Sequence, residues 1–462
     1  MFYSDRLFIR KMFLLAGDFS LFFLALFLAL SVRQIRIVEE GYYQKNLKVF
    51  LPIFVISVLV YFLFDLYNVR MLRSIYRSIY FLFIAVLANM LIATAFLYAF
   101  YQNAEITPKT VLFLYGVLVF LLTTSWRFLY HDLFFANKKY LKRIIIIGGE
   151  EKNEDLLKIA NPPKGVDYKI IGHISQDENR TTSSFSDAPF LGYSRDIQKI
   201  IQEQKADELV VAFDYRNNRE FVKELSDSLN FGVKIFEWPV FFEQVFQKVP
   251  TNQVDHFWFI YNFGDADKKL YERIKRFFDI LMVIPGMIFL AAILPFIALL
   301  IKATSRGPIF YRQERMGLNG KIFILVKFRT MEDNAEKDGV QWAMKDDRRV
   351  TSVGKFLRKT RLDEIPQFLN ILKGEMSLVG PRPERPEFLK TLSEKIPFYY
   401  KRNMVLPGLT GFAQIMYPYA ATIEDSLEKV GYDLYYIKNR SLFLYLKIIL
   451  STLRTALSCQ GQ

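Results

Sequence analysis

The sequence predicts a multi-domain membrane protein: an N-terminal bundle of four transmembrane helices, a doubly wound α/β domain, and a mostly helical C-terminal domain containing a membrane helix that turns back. Three observations predict it. Four apolar runs, each about the 20 residues that cross a bilayer as a helix, fill the first third of the 462-residue chain. Short β-type runs then alternate with helical periodicity from about 142 to 262, and a further long apolar run at 279–303 has bases on both flanks. Composition agrees, because 52% hydrophobic and 16% aromatic residues exceed what the cores of a soluble chain of this length need. The expected domains are 1–141, 142–262 and 263–462.

The first four runs cover about 13–32, 49–67, 79–101 and 111–129. The first is too long for a signal peptide and lacks a small-residue cleavage site. Arg6, Arg10 and Lys11 precede it; Arg70, Arg73 and Arg77 lie between the second and third; Lys138, Lys139, Lys142 and Arg143 follow the fourth. The third loop has only Glu105 and Lys109, and the first offsets its bases with Glu39 and Glu40. The positive-inside rule therefore puts both ends of the bundle in the cytoplasm. Asp18 in the first run is costly in lipid, and Arg127 in the fourth is its expected partner.

The run Arg143-Ile-Ile-Ile-Ile-Gly-Gly149 reads as a buried parallel strand ending in a glycine turn, followed by a helix at 153–160. Further strands are expected at 168–174, 208–213 and 233–238, with helices at 194–204 and 218–230 between them. This alternation indicates a doubly wound, Rossmann-like domain. Gly148 and Gly149 lack the third glycine of a dinucleotide fingerprint, and Glu150 and Glu151 would repel phosphate, so a regulatory or structural role is favoured.

The run at 279–303 is long enough to cross, yet Lys275 and Arg276 precede it and Lys302, Arg306, Arg312 and Arg315 follow. Bases on both sides place both ends in the cytoplasm. The expectation is a re-entrant helix hairpin bent at Pro295, with Pro285 the second candidate; a plain fifth span is the simpler alternative.

Composition also excludes chemistries. A lone Cys459 rules out an intramolecular disulfide framework and cysteine-cluster zinc, and His131, His173 and His256 are too dispersed for a histidine site. Any metal must be held by carboxylates. The net charge of +14 fits the cytoplasmic bases of a membrane protein, and no reading motif accompanies it, so no nucleic-acid partner is expected. The sequence leaves the oligomeric state open, a homo-oligomer included.

The stretch RLDEIPQ at 361–367 is where chemistry concentrates. Ile365, Phe368, Leu369 and Leu372 give one apolar helical face, Gly374 marks the stop, and Pro366 is tolerable only in a first turn. A helix starting near Asp363 would hold Asp363 and Glu364 ionised at its positive end. An Asp-Glu pair there is commonly just a cap. Around it in sequence, however, stand Lys327, Arg329, Arg358, Arg361 and, in the rigid Gly380-Pro-Arg-Pro383 turn, Arg382. Cations that neutralise a transferred group, one carboxylate that attacks and another that holds a metal are the parts phosphoryl transfer needs. Arginine suits phosphate through its planar fork. A salt-bridge network without function is the alternative.

The segments KRFFDI (275–280), GPIFYRQERMGLNGKIFILVKFRTM (307–331), RLDEIPQFLNILKGEMSLVGPRPERPEF (361–388) and PGLTGFAQI (407–415) resemble the bacterial sugar transferases, the monotopic polyprenyl-phosphate sugar-1-phosphate transferases. The four spans and α/β domain resemble the long form of that family, which starts capsule, O-antigen or exopolysaccharide units at the bacterial inner membrane. The resemblance implies that Asp363 attacks the β-phosphate of a UDP-sugar, releasing UMP and leaving a sugar-phosphoryl enzyme. It implies that Glu364 helps coordinate Mg²⁺ and that Lys327, Arg358 and Arg382 surround the diphosphate. Undecaprenyl phosphate would then take the sugar phosphate, with the α/β and catalytic domains on the cytoplasmic side.

The stretch 332–349 could be a flap over the nucleotide or a surface loop, and 441–457 an interfacial helix or core. Tyr271 and Lys275 have the Tyr-x-x-x-Lys spacing of a nucleotide-sugar dehydratase or epimerase without its glycine fingerprint, and a scaffold with a dead transferase domain is the non-enzymatic rival. The sugar is not legible, although 416–422 is a place for its contacts.

Overall fold

The computed structural model describes residues 2–67, 75–100, 108–136, 141–148, 159, 168–175, 188–263, 268–332, 347, 349–417 and 422–457. Arg70, Arg73, Glu105, Lys138, Lys139, Gly149, Glu150, Glu151, nearly all of the helix expected at 153–160, most of 332–349, residues 418–421 and Cys459 lie outside them. The described chain forms two compact units, Met1–Gln244 and Val245–Gln462.

In the first unit, α1 (Phe2–Gln34), α2 (Glu40–Leu63), α3 (Ile75–Phe100) and α4 (Pro108–His131) match the four apolar runs. Phe22, Phe50, Phe54, Tyr61 and Tyr115 fill the interior of the bundle. Asp18 and Arg127 do meet there: Nη1 donates to Oδ1 at 2.8 Å and Nη2 to Oδ2 at 2.7 Å, with both side chains fully buried. The bidentate geometry compensates two charges that could not stand alone inside the bundle, and it ties α1 to α4.

The same unit holds β1 (Lys142–Ile147), β2 (Tyr168–Ser175), β3 (Phe190–Tyr193), β4 (Glu208–Val211) and β5 (Lys234–Glu237), all parallel, in the order β3-β2-β1-β4-β5. Helices α5 (Ile197–Gln204) and α6 (Arg219–Ser228) connect successive strands, and Asn218 caps α6 by accepting from Phe221 N at 3.1 Å. Ile144, Ile145, Ile146 and Ile147 are fully buried, as a central parallel strand requires. Strand order reverses at β1/β4, the position at which such sheets open a crevice. The edge strand β3, with the sequence FLGY, is too short to show a β pattern and adds to the four strands read from sequence.

In the second unit, α7 (His256–Phe263) brings Trp258 and Phe259 into a core with Leu434, Tyr436, Tyr445 and Ile448. Val249 and Val254 join them, so contacts divide the chain ahead of the expected 262/263 boundary. The apolar residues of 249–259 read alike whichever core receives them. Next comes α8 (Lys269–Thr304), 36 residues and helical throughout, with Pro285 and Pro295 both inside. The hairpin expected here is a single helix in secondary structure, since each proline removes one backbone hydrogen bond, a loss that bends a long helix without ending it. Lys275, Asp279, Val283, Leu290, Ile297 and Ile301 form its buried stripe, while Phe277, Leu281, Ile284, Ile288, Phe289, Phe296 and Leu299 are exposed on the other side.

Both halves of α8 rest on one body. Near its start, Asp279 accepts from Ser377 Oγ at 2.7 Å, Leu378 N at 3.1 Å and Tyr445 OH at 2.8 Å. Near its end, Ile297 and Ile301 pack with Phe328 and Leu357. Between them a Cβ on Gly286 would stand 2.2 Å from the Phe368 ring, so glycine permits the close approach.

The further elements of the second unit include β6 (Phe310–Met316), β7 (Ile322–Phe328), α9 (Ser352–Thr360), α10 (Phe368–Lys373), β8 (Ser377–Val379), α11 (Pro386–Lys395), β9 (Gly408–Thr410), α12 (Ile423–Lys438) and α13 (Leu442–Leu457). For 441–457 the core alternative holds for one face, where Leu444, Tyr445 and Ile448 of α13 enter the core, while Phe443, Leu446 and Leu453 are exposed. Tyr271 and Lys275 belong to α8 and do not line the cleft described next.

Candidate active site

The antiparallel pair β6/β7 sets Tyr311 opposite Lys327, Gln313 opposite Leu325 and Arg315 opposite Phe323. Alternate residues of a strand share a face, so Tyr311, Gln313, Arg315 and Lys327 all stand on one side of the ribbon. The Lys327 ammonium lies 5.2 Å from the centre of the Tyr311 ring. Arg315 donates from Nε and Nη2 to Gln313 Oε1 at 3.1 and 2.6 Å, and from Nη1 to the Pro383 carbonyl at 3.0 Å. Burial, then the neighbouring Arg315 charge, pushes Lys327 down to about 8; burial likewise lowers Arg315 to about 10.

The carboxylates arrive on a turn tighter than expected. Thr351 caps α9 by accepting from Gly354 N at 3.0 Å, and the helix ends where Arg361 adopts a left-handed φ of 56°. Residues Leu362–Gln367 then form a 3₁₀ turn, and α10 begins only at Phe368 and stops at Gly374, φ 84°. A regular α-helix opening at Asp363 is thus corrected to 3₁₀ followed by α. Pro366 offers no N–H, and short 3₁₀ pieces are common at α-helix starts.

The two carboxylates are treated differently. Glu364 Oε1 accepts from Arg382 Nη2 at 2.8 Å, and Oε2 is 3.8 Å from Arg361. Asp363 is 8% exposed and, among the described residues, its carboxylate has no hydrogen bond and no ion pair within 4 Å. Burial, then the charge of Glu364, raises Asp363 to about 6, while Lys327, Arg358 and Arg382 pull the other way. Burial works to raise Glu364 too, but the charge and hydrogen bond of Arg382 outweigh it and hold Glu364 below the usual range. The environment separates the two carboxylates, as it does in acid and nucleophile pairs generally.

Arg382 itself is placed by backbone. β8 and β9 pair in parallel, Gly408 N donates to Pro381 O at 2.9 Å, and a Cβ on Gly408 would lie 2.1 Å from Gly380 N. The PGLTG segment therefore clasps the Gly-Pro-Arg-Pro turn. Below it, Arg402 donates from Nη2 to the Arg382 carbonyl at 3.2 Å and is held by Asp433 at 2.7 Å and Tyr399 at 2.6 Å. Arg382 keeps a half-exposed side chain beside Glu364.

Arg315, Lys327, Glu364, Gln367 and Arg382 line an open cleft of about 310 Å³. Of the residues read from sequence, Lys327, Glu364 and Arg382 stand in the wall. Asp363 feels the charges of Lys327, Arg358 and Arg382, and Arg358 is oriented by Thr330 Oγ1 at 3.0 Å. Arg361 touches Glu364 from its far oxygen, and Arg329 is buried with Nη2 donating to Ser305; neither lines the cleft. Arg315 and Gln367 were not among the site residues read from sequence. Counting by twos along β6 from Tyr311, opposite Lys327, would have reached Arg315.

No cluster of three or more His, Cys, Asp or Glu that could hold a metal exists among the described residues. Two adjacent carboxylates at a cleft rimmed by cations do fit magnesium, which takes one or two protein carboxylates and completes its shell with water and substrate phosphate. The chain's own contribution would be Glu364, with Asp363 alongside.

Comparison with known proteins adds identity to this geometry. The family model described as bacterial sugar transferase matches residues 270–459, and one described as a CoA-binding domain matches 63–235. The chain is 45% identical over 192 residues to the UDP-N-acetylgalactosamine-undecaprenyl-phosphate N-acetylgalactosaminephosphotransferase of Aeromonas hydrophila, covering 42% of this chain and 45% of that one. It is 44% identical over 180 residues to the UDP-glucose:undecaprenyl-phosphate glucose-1-phosphate transferase of Klebsiella pneumoniae, covering 38% and 39%. An exopolysaccharide production protein of Rhizobium leguminosarum bv. phaseoli is 38% identical over 191 residues, covering 40% of this chain and 96% of its own length. The chain thus spans less than half of the first two relatives and nearly all of the third.

Proposed function

The chain belongs to the bacterial sugar transferases, and from that membership we propose that it transfers a sugar-1-phosphate from a UDP-sugar to undecaprenyl phosphate. One observation carries the reading: Asp363 is a buried carboxylate without a hydrogen-bond partner, next to a Glu364 that has two arginines. An unpaired carboxylate surrounded by cations is free to attack, and a paired one is held to orient.

In the proposed reaction a carboxylate oxygen of Asp363 bonds to the β-phosphorus of the donor while the bond to the bridging oxygen breaks, and UMP leaves with that electron pair. A phosphate oxygen of undecaprenyl phosphate then bonds to the same phosphorus, the bond to Asp363 breaks, and undecaprenyl-diphospho-sugar departs. Lys327, Arg358 and Arg382 offset the charge of the diphosphate, and Glu364 fixes Arg382 through its 2.8 Å contact. Magnesium bound at Glu364 would supply further neutralisation of the diphosphate. This would be the first membrane step of a surface polysaccharide.

The lipid acceptor requires the cleft to face a bilayer, and α8 supports that. Its two halves pack on one body, so its ends stay on one side unless that body crosses; its outer face is apolar from Phe277 to Leu300. We read α8 as entering one leaflet and returning, bent at Pro295 or Pro285. The α1–α4 bundle spans the bacterial inner membrane four times in this reading, and the α/β domain and the catalytic domain face the cytoplasm.

The test is UMP release by purified protein with Mg²⁺ and undecaprenyl phosphate. The donor panel begins with UDP-N-acetylgalactosamine and UDP-glucose, the donors in the relatives' names. Release with at least one donor and its loss in Asp363→Asn are expected. Unchanged release in that variant sinks the nucleophile assignment, and no release from folded parent protein with any donor sinks the transferase.

A further inference from the structure

Buried cations stand with an anion in folded proteins, because an uncompensated charge loses its hydration. On the cleft wall Arg382 has Glu364 at 2.8 Å. Lys327 and Arg315, by contrast, have no carboxylate within 4 Å among the described residues. Glu384 acts on Arg315 from farther off and is itself 3.8 Å from Arg402. Two neighbouring half-buried cations are therefore left facing the cleft.

Their fixation is specific. A guanidinium has five N–H groups; Gln313 takes one from Nε and one from Nη2, and Pro383 takes one from Nη1. One N–H remains on each terminal nitrogen, the pair that can grip two oxygens of a phosphoryl group at once. Gln313 cannot turn its amide over without losing both contacts, because its Nε2 donates to the Tyr311 hydroxyl at 3.3 Å. Tyr311 in turn lies beneath Lys327. A single strand face thus fixes both cations.

We propose that Arg315, standing beside Lys327 on the same strand face, is a further anion ligand of the cleft that grips a phosphoryl group, with Gln313 as the residue that positions it. The inference deepens the transferase reading and rests on it. The phosphoryl group has two sources, the nucleotide and the lipid acceptor, and the experiment separates them.

Full-length protein in lipid nanodiscs is titrated with UMP by calorimetry, and the KM for undecaprenyl phosphate is measured in parallel. Losing a hydrogen-bonded charge in Arg315→Met is expected to weaken the bound species roughly ten- to a hundredfold. Weaker UMP binding assigns Arg315 to the nucleotide phosphate; unchanged UMP binding with a raised acceptor KM assigns it to the lipid phosphate. Unchanged values for both overturn the proposal. Gln313→Leu keeps both charges and is expected to give a smaller loss in the same quantity, which keeps the test available should Arg315→Met fail to fold; unaltered binding in a folded Gln313→Leu overturns the positioning role. A parent protein that binds no UMP and turns over no donor overturns the transferase reading and this inference with it. A parent that binds, beside an Arg315→Met variant that binds equally and has the parent's acceptor KM, overturns the inference alone.

Discussion

Asp363 and Glu364 are neighbours in sequence with opposite fates. Because burial raises Asp363 from 3.8 to about 6, the fold favours its protonated form; that contribution is present below pH 4 and is lost as pH rises through about 6. Above pH 6, removing the charge should then cost no stability, so Asp363→Asn is expected to melt at or above the parent temperature at pH 8 while losing UMP release. Activity runs the other way. In the proposed reaction the attacking form is the carboxylate, so kcat/KM for the donor should rise through about pH 6 and fall again near pH 8 as Lys327 loses its proton. A profile flat from pH 5 to 9 would contradict this assignment. The identity of the pair was legible in sequence, since Asp363 and Glu364 sit among bases. Their separation was not: which carboxylate meets Arg382 depends on backbone from 362 to 383, and sequence adjacency gives both the same neighbours.

Among the elements, the 3₁₀ turn Leu362–Gln367 and the β8/β9 clasp decide where charge ends up. Gly408→Ala tests the clasp, because the new methyl would stand 2.1 Å from Gly380 N and 2.4 Å from Thr410 O, backbone atoms with little room to move. A cost of about 1–3 kcal/mol and a loss of activity from a displaced Arg382 are expected in melting and UMP-release assays; a variant matching the parent in both would show that the clasp does not position Arg382. The long elements were the legible ones. α1–α4, the isoleucine strand β1 and the apolar length of α8 follow from periodicity and run length. The short ones were hidden: β3 is four residues, the 3₁₀ turn mimics a helix start, and Arg315 read as a flanking base because its cleft role needs the register of β6 against β7.

For the whole molecule, the account requires a catalytic unit on one side of a bilayer, with α8 entering and returning. Single cysteines placed at Lys269 and Ser305 in a Cys459→Ser background should both react with a membrane-impermeant maleimide only from the cytoplasmic side. Labelling of the two from opposite sides would establish a fifth span. The central claim remains covalent: Asp363 carries the sugar phosphate between donor and lipid. The most direct measurement is peptide mass spectrometry of protein incubated with its UDP-sugar and Mg²⁺ in the absence of acceptor. The account predicts a sugar-phosphate adduct on the Asp363 peptide, absent in Asp363→Asn and discharged by undecaprenyl phosphate. Turnover with acceptor but no adduct under rapid quench, or an adduct on another residue, would contradict it.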